Sequence, residues 1–393
     1  MPEAGPAPIR WEVTEHRGPA GLDRLEADWR RLCLETAQRS VFMTFEAARG
    51  YLQHFMARPE LLRCLALSDG NRVRAICALE PRVERRLGFP VPVWGLLWFH
   101  RQSFRAEVAC PDEEAQRALA PMVVAHLRRH PEGRPLLALG PLVVDSAVWD
   151  GLGQLDRRDC CLEPTERVRF LDSRTAFATL QARMSRSSRR SHETDRRRLA
   201  NLPDVRWVRV QDPVQLEAEY EAFLAVEASG WKGRAGSSVA DRPGLAAFLR
   251  ELLGGLRGPA EHCEIAAVYA EGRCLASLFA VRTGATYSAL KTGFDEAYAR
   301  FSPGKLLVAE TVRRCCDDPG IERLDLVGDA PWMHAWHTEL TELRLAHLNL
   351  VGFRGRWLLA LLKLRFGPLR RLCRWLGPRL AHQPGSKRAS DPA

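Results

Sequence analysis

The chain has 393 residues, 46% of them hydrophobic and 27% charged, with a formal net charge of +10. That is room for two ordinary domains with the composition of a soluble globular protein. The positive charge favours acidic partners, whether phosphates of a cofactor, a nucleic acid or an anionic membrane face, without choosing among them. In chain order, a strand is predicted over Ile9–Val13 and a helix over Leu22–Glu35, where Leu22, Leu25, Trp29 and Leu32 recur at helical spacing. A second helix follows over Phe45–Phe55. Cys64–Ser68, the turn Asp69-Gly70-Asn71 and Val73–Glu80 read as a hairpin. Val91–Phe99 continues the sheet, Glu113–Arg129 is helical, and Leu136–Leu139 and Arg167–Leu171 are strands.

The second half opens with a helix over Arg174–Met184 and an arginine-rich stretch to Asn201. Val205–Val210 is a strand, and Gln215–Ala228 and Gly244–Leu256 are helices. Glu264–Ala270, Leu275–Thr283 and Thr286–Thr292 form three strands with an Asp/Glu-Gly type turn at Glu271-Gly272. Gly304–Cys316 is a helix, Ile321–Val327 a strand, Pro331–Leu340 a short helix and Leu343–Leu350 a closing strand. The hairpins call for a mainly antiparallel sheet rather than a doubly wound parallel one. The expected fold is α+β, with an N-terminal lobe over 1–171, a C-terminal lobe over 172–350 and a basic helical tail over 351–393.

Only five of the 58 basic residues are lysines, and three of them sit in loop-like motifs: Lys232, Lys291 and Lys305. Lysine is a compact, shiftable point charge suited to phosphates and reacting centres. Ser302-Pro303-Gly304-Lys305 falls where a loop enters a helix, where unpaired N–H groups and the helix dipole favour an anion. Arg300 and Lys305 add charge there; the same residues also suit an ordinary helix start. His334 and His337 are three apart, but no third ligand of suitable spacing accompanies them, so no metal is expected.

Three segments in order, EASGWKGRAGS (227–237), LKTGFDEAYARFSPGKLL (290–307) and LDLVGDAPWMHAW (324–336), resemble the GNAT acyltransferase superfamily. More narrowly they are similar to its BioF2-like branch, often labelled after the cellulose-biosynthesis protein CelD and related to the Fem peptidyltransferases. The resemblance spans roughly residues 170 to 350 and, more loosely, the first half, by a match of several motifs in order. It implies two GNAT-like lobes and acyl transfer from acyl-CoA (acetyl-CoA) to an amine or hydroxyl of a small-molecule or glycan-precursor acceptor. Arg300, Ser302, Gly304 and Lys305 would hold the pyrophosphate, and a backbone N–H within Ser288–Thr292 would face the oxyanion. Lys291 would orient charge and Asp329 remove the proton, although Asp329 also suits a helix cap. Trp231, Lys232 and Trp336 would contact the acceptor, with a helix-end role open for the first two. An aminoacyl-tRNA donor, as in Fem-like enzymes, and a non-catalytic partner of a polysaccharide synthase are the alternatives.

Two basic segments remain. Residues 183–198 could grip a phosphate-bearing ligand or form a solvated helix face, and they lack interleaved aromatics for reading bases. Residues 352–380 combine tryptophans and leucines with eight Lys/Arg and no acid. They read as an interfacial helix or one packed on the protein's own surface. Eleven cysteines without a C-x-x-C spacing suggest reduced, buried thiols. With no signal-peptide pattern and no apolar run of spanning length, a cytoplasmic protein is expected, with a peripheral place at the inner membrane face open to it through the basic tail.

Overall fold

The computed structural model describes residues 9–36, 39–86, 89–97, 105–106, 108–258, 260–329, 331–336 and 338–366. The first half runs β1 (Glu12–Arg17), α1 (Gly18–Arg24), α2 (Glu26–Glu35), α3 (Phe45–His54), β2 (Arg63–Ser68), β3 (Val73–Arg86), β4 (Phe89–Leu96), α4 (Glu113–Arg129), β5 (Leu136–Val143), α5 (Val148–Gly151) and β6 (Cys160–Asp172). The second half runs α6 (Phe177–Arg183), α7 (Arg186–Ala200), β7 (Arg206–Val210), α8 (Pro213–Ala228), α9 (Trp231–Arg234), α10 (Pro243–Gly255), β8 (Arg257–Gly258), β9 (Glu261–Ala270), β10 (Arg273–Thr283), β11 (Thr286–Phe294), α11 (Pro303–Asp317), β12 (Arg323–Asp325), β13 (Glu339–Asn349) and α12 (Gly352–Phe366).

Local chemistry explains most of these elements. The Asp69 carboxylate accepts from the N–H groups of Asn71 and Arg72, closing the β2–β3 turn by an Asx-type bond. Asp212 caps α8 through the N–H groups of Val214 and Gln215, and Pro213 fills its first position. The helix expected over Leu22–Glu35 is broken at Leu25, whose backbone lies at φ −95°, ψ 0°. The arginine-rich stretch is the helix α7, anchored by buried Asp195 and Leu199. The segment expected as a helix over Pro331–Leu340 is a 3-10 turn over Pro331–Trp336, and β13 starts at Glu339.

The strands form one sheet in the order β1-β2-β3-β4-β5-β13-β6-β12-β11-β10-β9-β7, with β8 beside β9. All pairings are antiparallel except β4–β5 and β11–β12. The fold is thus the mixed α/β architecture with a mainly antiparallel sheet that the sequence leads one to expect. What the sequence does not show is an exchange at the centre. β6, from the first half, pairs with β12, and β13, from the second, pairs with β5; β6 and β13 pair with each other. Each half completes the other's sheet.

Helices join the halves as well. Tyr51 and Leu52 of α3 share a core with Phe223 of α8, Phe248 and Leu249 of α10, and Phe279 and Val281 of β10. Phe55 meets Phe248 edge-on at 5.4 Å, and His54 Nε2 lies 2.8 Å from Glu251 Oε2. Burying such aromatic pairs contributes about 1 kcal/mol each beyond the area removed from water.

Candidate active site

β11 and β12 run parallel and pair only over Thr286–Ser288 and Arg323–Asp325. Beyond that point they separate. Two features bend them apart. On β11, Phe279 of β10 faces Lys291 while Ala280 faces Ala289, so Leu290 is an extra residue, a bulge of the kind that re-aims a strand. Two residues past the end of β12, Val327 takes φ +55°, which is costly for a β-branched residue. Asp325 Oδ1 accepts from the Val327 N–H at 2.8 Å. Asp325 Oδ2 in turn accepts from Arg105 at 2.6 Å, and both side chains are buried. Arg105 belongs to the first half, so the opening is braced from the other lobe.

The wedge between the strands is a cavity of about 850 Å³. Leu278, Ala289, Val308, Thr311, Leu324 and Leu326 give it an apolar floor, and Lys232, Lys291, Arg167, Asp329 and Glu342 a charged rim. The β11 edge beyond Ser288 has no partner strand on this side, so its backbone groups face the wedge. A second cavity of about 680 Å³ adjoins the first, since Thr292 and Val308 line both. Ser302, Gly304 and Lys305 at the start of α11 line it, as do Ser187, Ser188, Ser191 and His192 of α7.

The start of α11 is open to an anion. Ser302 lies at φ +51° and offers no side-chain cap, Pro303 has no N–H, and the first turn holds no acid. The N–H groups of Gly304 and Lys305 have no acceptor among the described residues, the usual state of a helix N-terminus awaiting a partner. Lys305 Nζ donates to Ser191 Oγ at 2.9 Å and Asp195 Oδ2 at 3.0 Å. Burial pushes the Asp195 carboxyl up, yet its bond and charge contact with Lys305 win and hold it below the usual range.

Lys291 lines the wedge, half-buried, with no hydrogen bond or ion pair among the described residues. Burial first, then the neighbouring Lys232, lowers its pKa to about 8, as desolvation and like charge both disfavour the ammonium form. Lys232 is tied down instead: its Nζ donates to Glu227 Oε1 at 2.9 Å and to the Thr292 carbonyl at 2.6 Å. Gly293 permits this approach, because a Cβ there would lie 2.5 Å from the Glu227 Cα. Asp329 accepts from Arg169, has Arg167 at 3.6 Å, and its Oδ1 lies 2.8 Å from His334 Nε2. The Arg169 bond is the leading cause that holds the Asp329 carboxyl below its ordinary range, with His334 adding to it.

The structure therefore gathers Lys232, Lys291 and Asp329 at one cavity and Ser302, Gly304, Lys305 and Trp336 at the other. Trp336 is buried, 6.0 Å from Phe177 and 5.7 Å from His192 by ring centroid. Two expected residues stand apart. Arg300 is exposed and lies over Phe301, outside both linings, and Trp231 is 57% exposed, with its backbone N–H donating to Glu296 Oε1. His337 lies outside the described residues. Among the described residues no group of three or more His, Cys, Asp or Glu is placed to hold a metal. Sequence reading missed Arg169, Glu227, Arg105 and Asp325. Only Asp195 carried a signal, as one of few acids within an arginine run, one turn from Ser191.

Residues 186–344 match the family described as acetyltransferase (GNAT) domain. The matched stretch runs from α7 into β13 and supplies the lining of both cavities except Pro164–Arg167 of β6 in the first and Met184 in the second. No curated protein matches the chain by sequence. Among solved structures, FemX is similar at 10% identity and a TM-score of 0.54, covering 82% of this chain and 96% of that one. A conserved protein of unknown function from Bacteroides thetaiotaomicron gives 8% identity and a TM-score of 0.56, with 83% and 97% covered. The C-terminal domain of a protein assigned as a lysylphosphatidylglycerol synthetase from Agrobacterium fabrum gives 11% and 0.52, with 87% and 98% covered. At these identities the likeness is one of fold, and it extends over both lobes.

Proposed function

We propose that the protein is an acyltransferase that moves an acyl group, in the first instance acetyl, from acyl-CoA to an amine or hydroxyl acceptor. One observation carries this reading: an apolar wedge between diverging parallel strands meets an uncapped helix start with no acid in its own first turn, with Thr292 and Val308 shared between them. A thioester arm fits the wedge while its pyrophosphate meets the Gly304 and Lys305 N–H groups, where the helix dipole favours negative charge. Ser302, Gly304 and Lys305 hold the phosphate side. Arg300 contributes only long-range charge from outside the cavity.

In the reaction the acceptor nitrogen or oxygen attacks the thioester carbonyl carbon. The C–S bond breaks, and the sulfur leaves as the CoA thiol with the acceptor's proton balanced through the site. Free N–H groups on the β11 edge between Ser288 and Thr292 face the developing oxyanion. Lys291, charged below about pH 8, orients negative charge on donor or acceptor. Asp329 takes the hydrogen bond of the attacking group, and His334 stands against it to pass the proton on. Lys232 shapes the wedge through Thr292, and Trp336 walls the second cavity. An exopolysaccharide or envelope precursor is the acceptor class we favour, on the resemblance to the CelD-like branch.

A second reading, transfer from aminoacyl-tRNA, is favoured by the two-lobe likeness to FemX over 96% of that chain. Thermal-shift titration separates the two: stabilisation by CoA supports the first, and stabilisation by charged tRNA alone supports the second. Thiol release from a panel of acyl-CoAs then tests the chemistry, with Asp329→Asn expected to lower kcat about 100-fold, the usual scale of a proton-handling group. Unchanged thiol release in that variant would remove Asp329 from the mechanism. No transfer from any donor would leave a docking role beside a polysaccharide synthase.

A further inference from the structure

The two most exposed aromatic side chains of the described residues, Phe353 and Phe89, lie outside both cavity linings, on α12 and the start of β4. Phe353 is 84% exposed and Trp357 56%. Four residues apart, they share one helix face. The opposite face is committed: Leu359 and Leu362 pack with Val91, Val93, Leu136, Cys161 and Leu345 of the sheet. Three further ties fix the helix's rotation. Arg356 Nε donates to Asp159 Oδ1 at 2.7 Å, Lys363 Nζ donates to the Arg157 carbonyl at 2.7 Å, and Gly355 sits so close to Asn349 that a Cβ would clash with it. The helix cannot roll to hide Phe353 and Trp357 without losing this packing. Phe89, 73% exposed, extends the apolar surface, because it shares the β4 face of Val91 and Val93.

Charge selects what this surface meets. Arg354 is exposed beside Phe353, and no Asp or Glu occurs from Leu343 to Ser390, while residues 352–380 hold eight Lys/Arg. A tryptophan and phenylalanine stripe with Arg354, a free cation among the described residues, beside it, the nearby Asp156 and Asp159 being taken up by Arg356, fits the boundary of an anionic bilayer, where aromatic rings sit at headgroup depth and basic residues meet lipid phosphates. No described helix is long and apolar enough to cross a membrane, so the contact is one of lying on the surface. We propose that α12 and the β4 edge dock the protein on an anionic lipid surface. This does not rest on the acyltransferase reading, since no residue of the candidate active site takes part.

Flotation of the full chain with vesicles tests it. Wild type floats with phosphatidylglycerol-containing vesicles at low salt and is released by high salt, and it does not float with pure phosphatidylcholine. Phe353→Glu with Trp357→Glu lowers the floated fraction about tenfold, as expected when an interfacial aromatic pair is replaced by acids. Both side chains are exposed, so the melting temperature should stay as in wild type. If the double variant melts early, Arg354→Glu, which touches no packing, serves in its place and is expected to weaken flotation in the same direction. No flotation of wild type on anionic vesicles overturns the proposal, as does flotation of a folded variant equal to wild type. A dimer that the double variant abolishes, with no vesicle binding by either protein, would instead assign the face to a second copy.

Discussion

In the N-terminal lobe β4 and β5 pair in parallel over Val93–Gly95 and Leu136–Ala138 and then separate; in the C-terminal lobe β11 and β12 do the same over Thr286–Ser288 and Arg323–Asp325. Both lobes follow the third strand of their meander with a helix that packs back on the sheet, α4 in one and α11 in the other. From there they differ. In the first lobe the chain returns across the gap: the Ala106 N–H donates to the Pro141 carbonyl at 2.7 Å, and Ala109 bridges to Ile76. Ala106 and Cys110 are buried there. In the second lobe the gap is the wedge cavity. The helix starts differ in charge too. Asp112 caps α4 through the N–H groups of Glu114 and Ala115, with Glu113 and Glu114 in the first turn, whereas α11 has no cap, no acid and Lys305. One topology therefore yields a bracing lobe and a binding lobe. A few residues at the strand divergence and the helix start decide which, because an anion needs open N–H groups and a positive field at the same point.

The lobes meet at Arg105, which comes from the filled gap and pairs with Asp325 at the open one. Arg105→Ala leaves a buried carboxylate without its partner and is expected to cost about 3 kcal/mol of stability. Denaturant unfolding measures this, and a loss under about 1 kcal/mol would mean the two gaps are not energetically linked.

Giving α11 the charge of α4 should break the binding lobe. Gly304→Glu places an acid in the first turn, and the CoA Kd is expected to rise about tenfold by loss of the favourable dipole interaction. Calorimetric titration reads this directly. Equal CoA affinity would show that the helix start does not meet the phosphates.

The pH profile tests Lys291 in the open gap. Its pKa is lowered to about 8, so it is an ammonium below that pH and an amine above it. If its charge orients the donor or acceptor, kcat/KM falls as pH rises through about 8, and Lys291→Arg shifts that limb upward, since the guanidinium stays charged. A profile that instead rises through this pH would make Lys291 a base.

The smallest effect is expected in the other lobe. Asp112→Ala removes the α4 cap and should cost about 1 kcal/mol of stability, with CoA affinity unchanged. A change in CoA affinity here would mean that both helix starts take part in binding.

Much of this was legible from residues alone. The hairpin at Asp69-Gly70-Asn71, the helix over Glu113–Arg129 and the helix expected over Gln215–Ala228, which begins two residues earlier at Pro213, follow from turn and periodicity signals that act within a few residues. So did the loop-to-helix turn Ser302–Lys305 and the scarcity of lysine that drew attention to Lys291. The tertiary structure decided what depends on partners distant in sequence. β6 extends back to Cys160 because β13 arrives from residues 339–349 and pairs with it on both sides of a register shift at Thr165-Glu166, so its first half carried no strand signal of its own. Lys232 is buttressed rather than free because Glu227 and Thr292 converge on it, and Asp329 is drawn down by Arg169 from the other half's last strand. Sequence set the local turns and caps, whose energies are short-ranged. The wedge, its brace at Arg105 and the division of labour between the lobes arise only where distant strands meet, because burial and pairing are properties of the packed sheet.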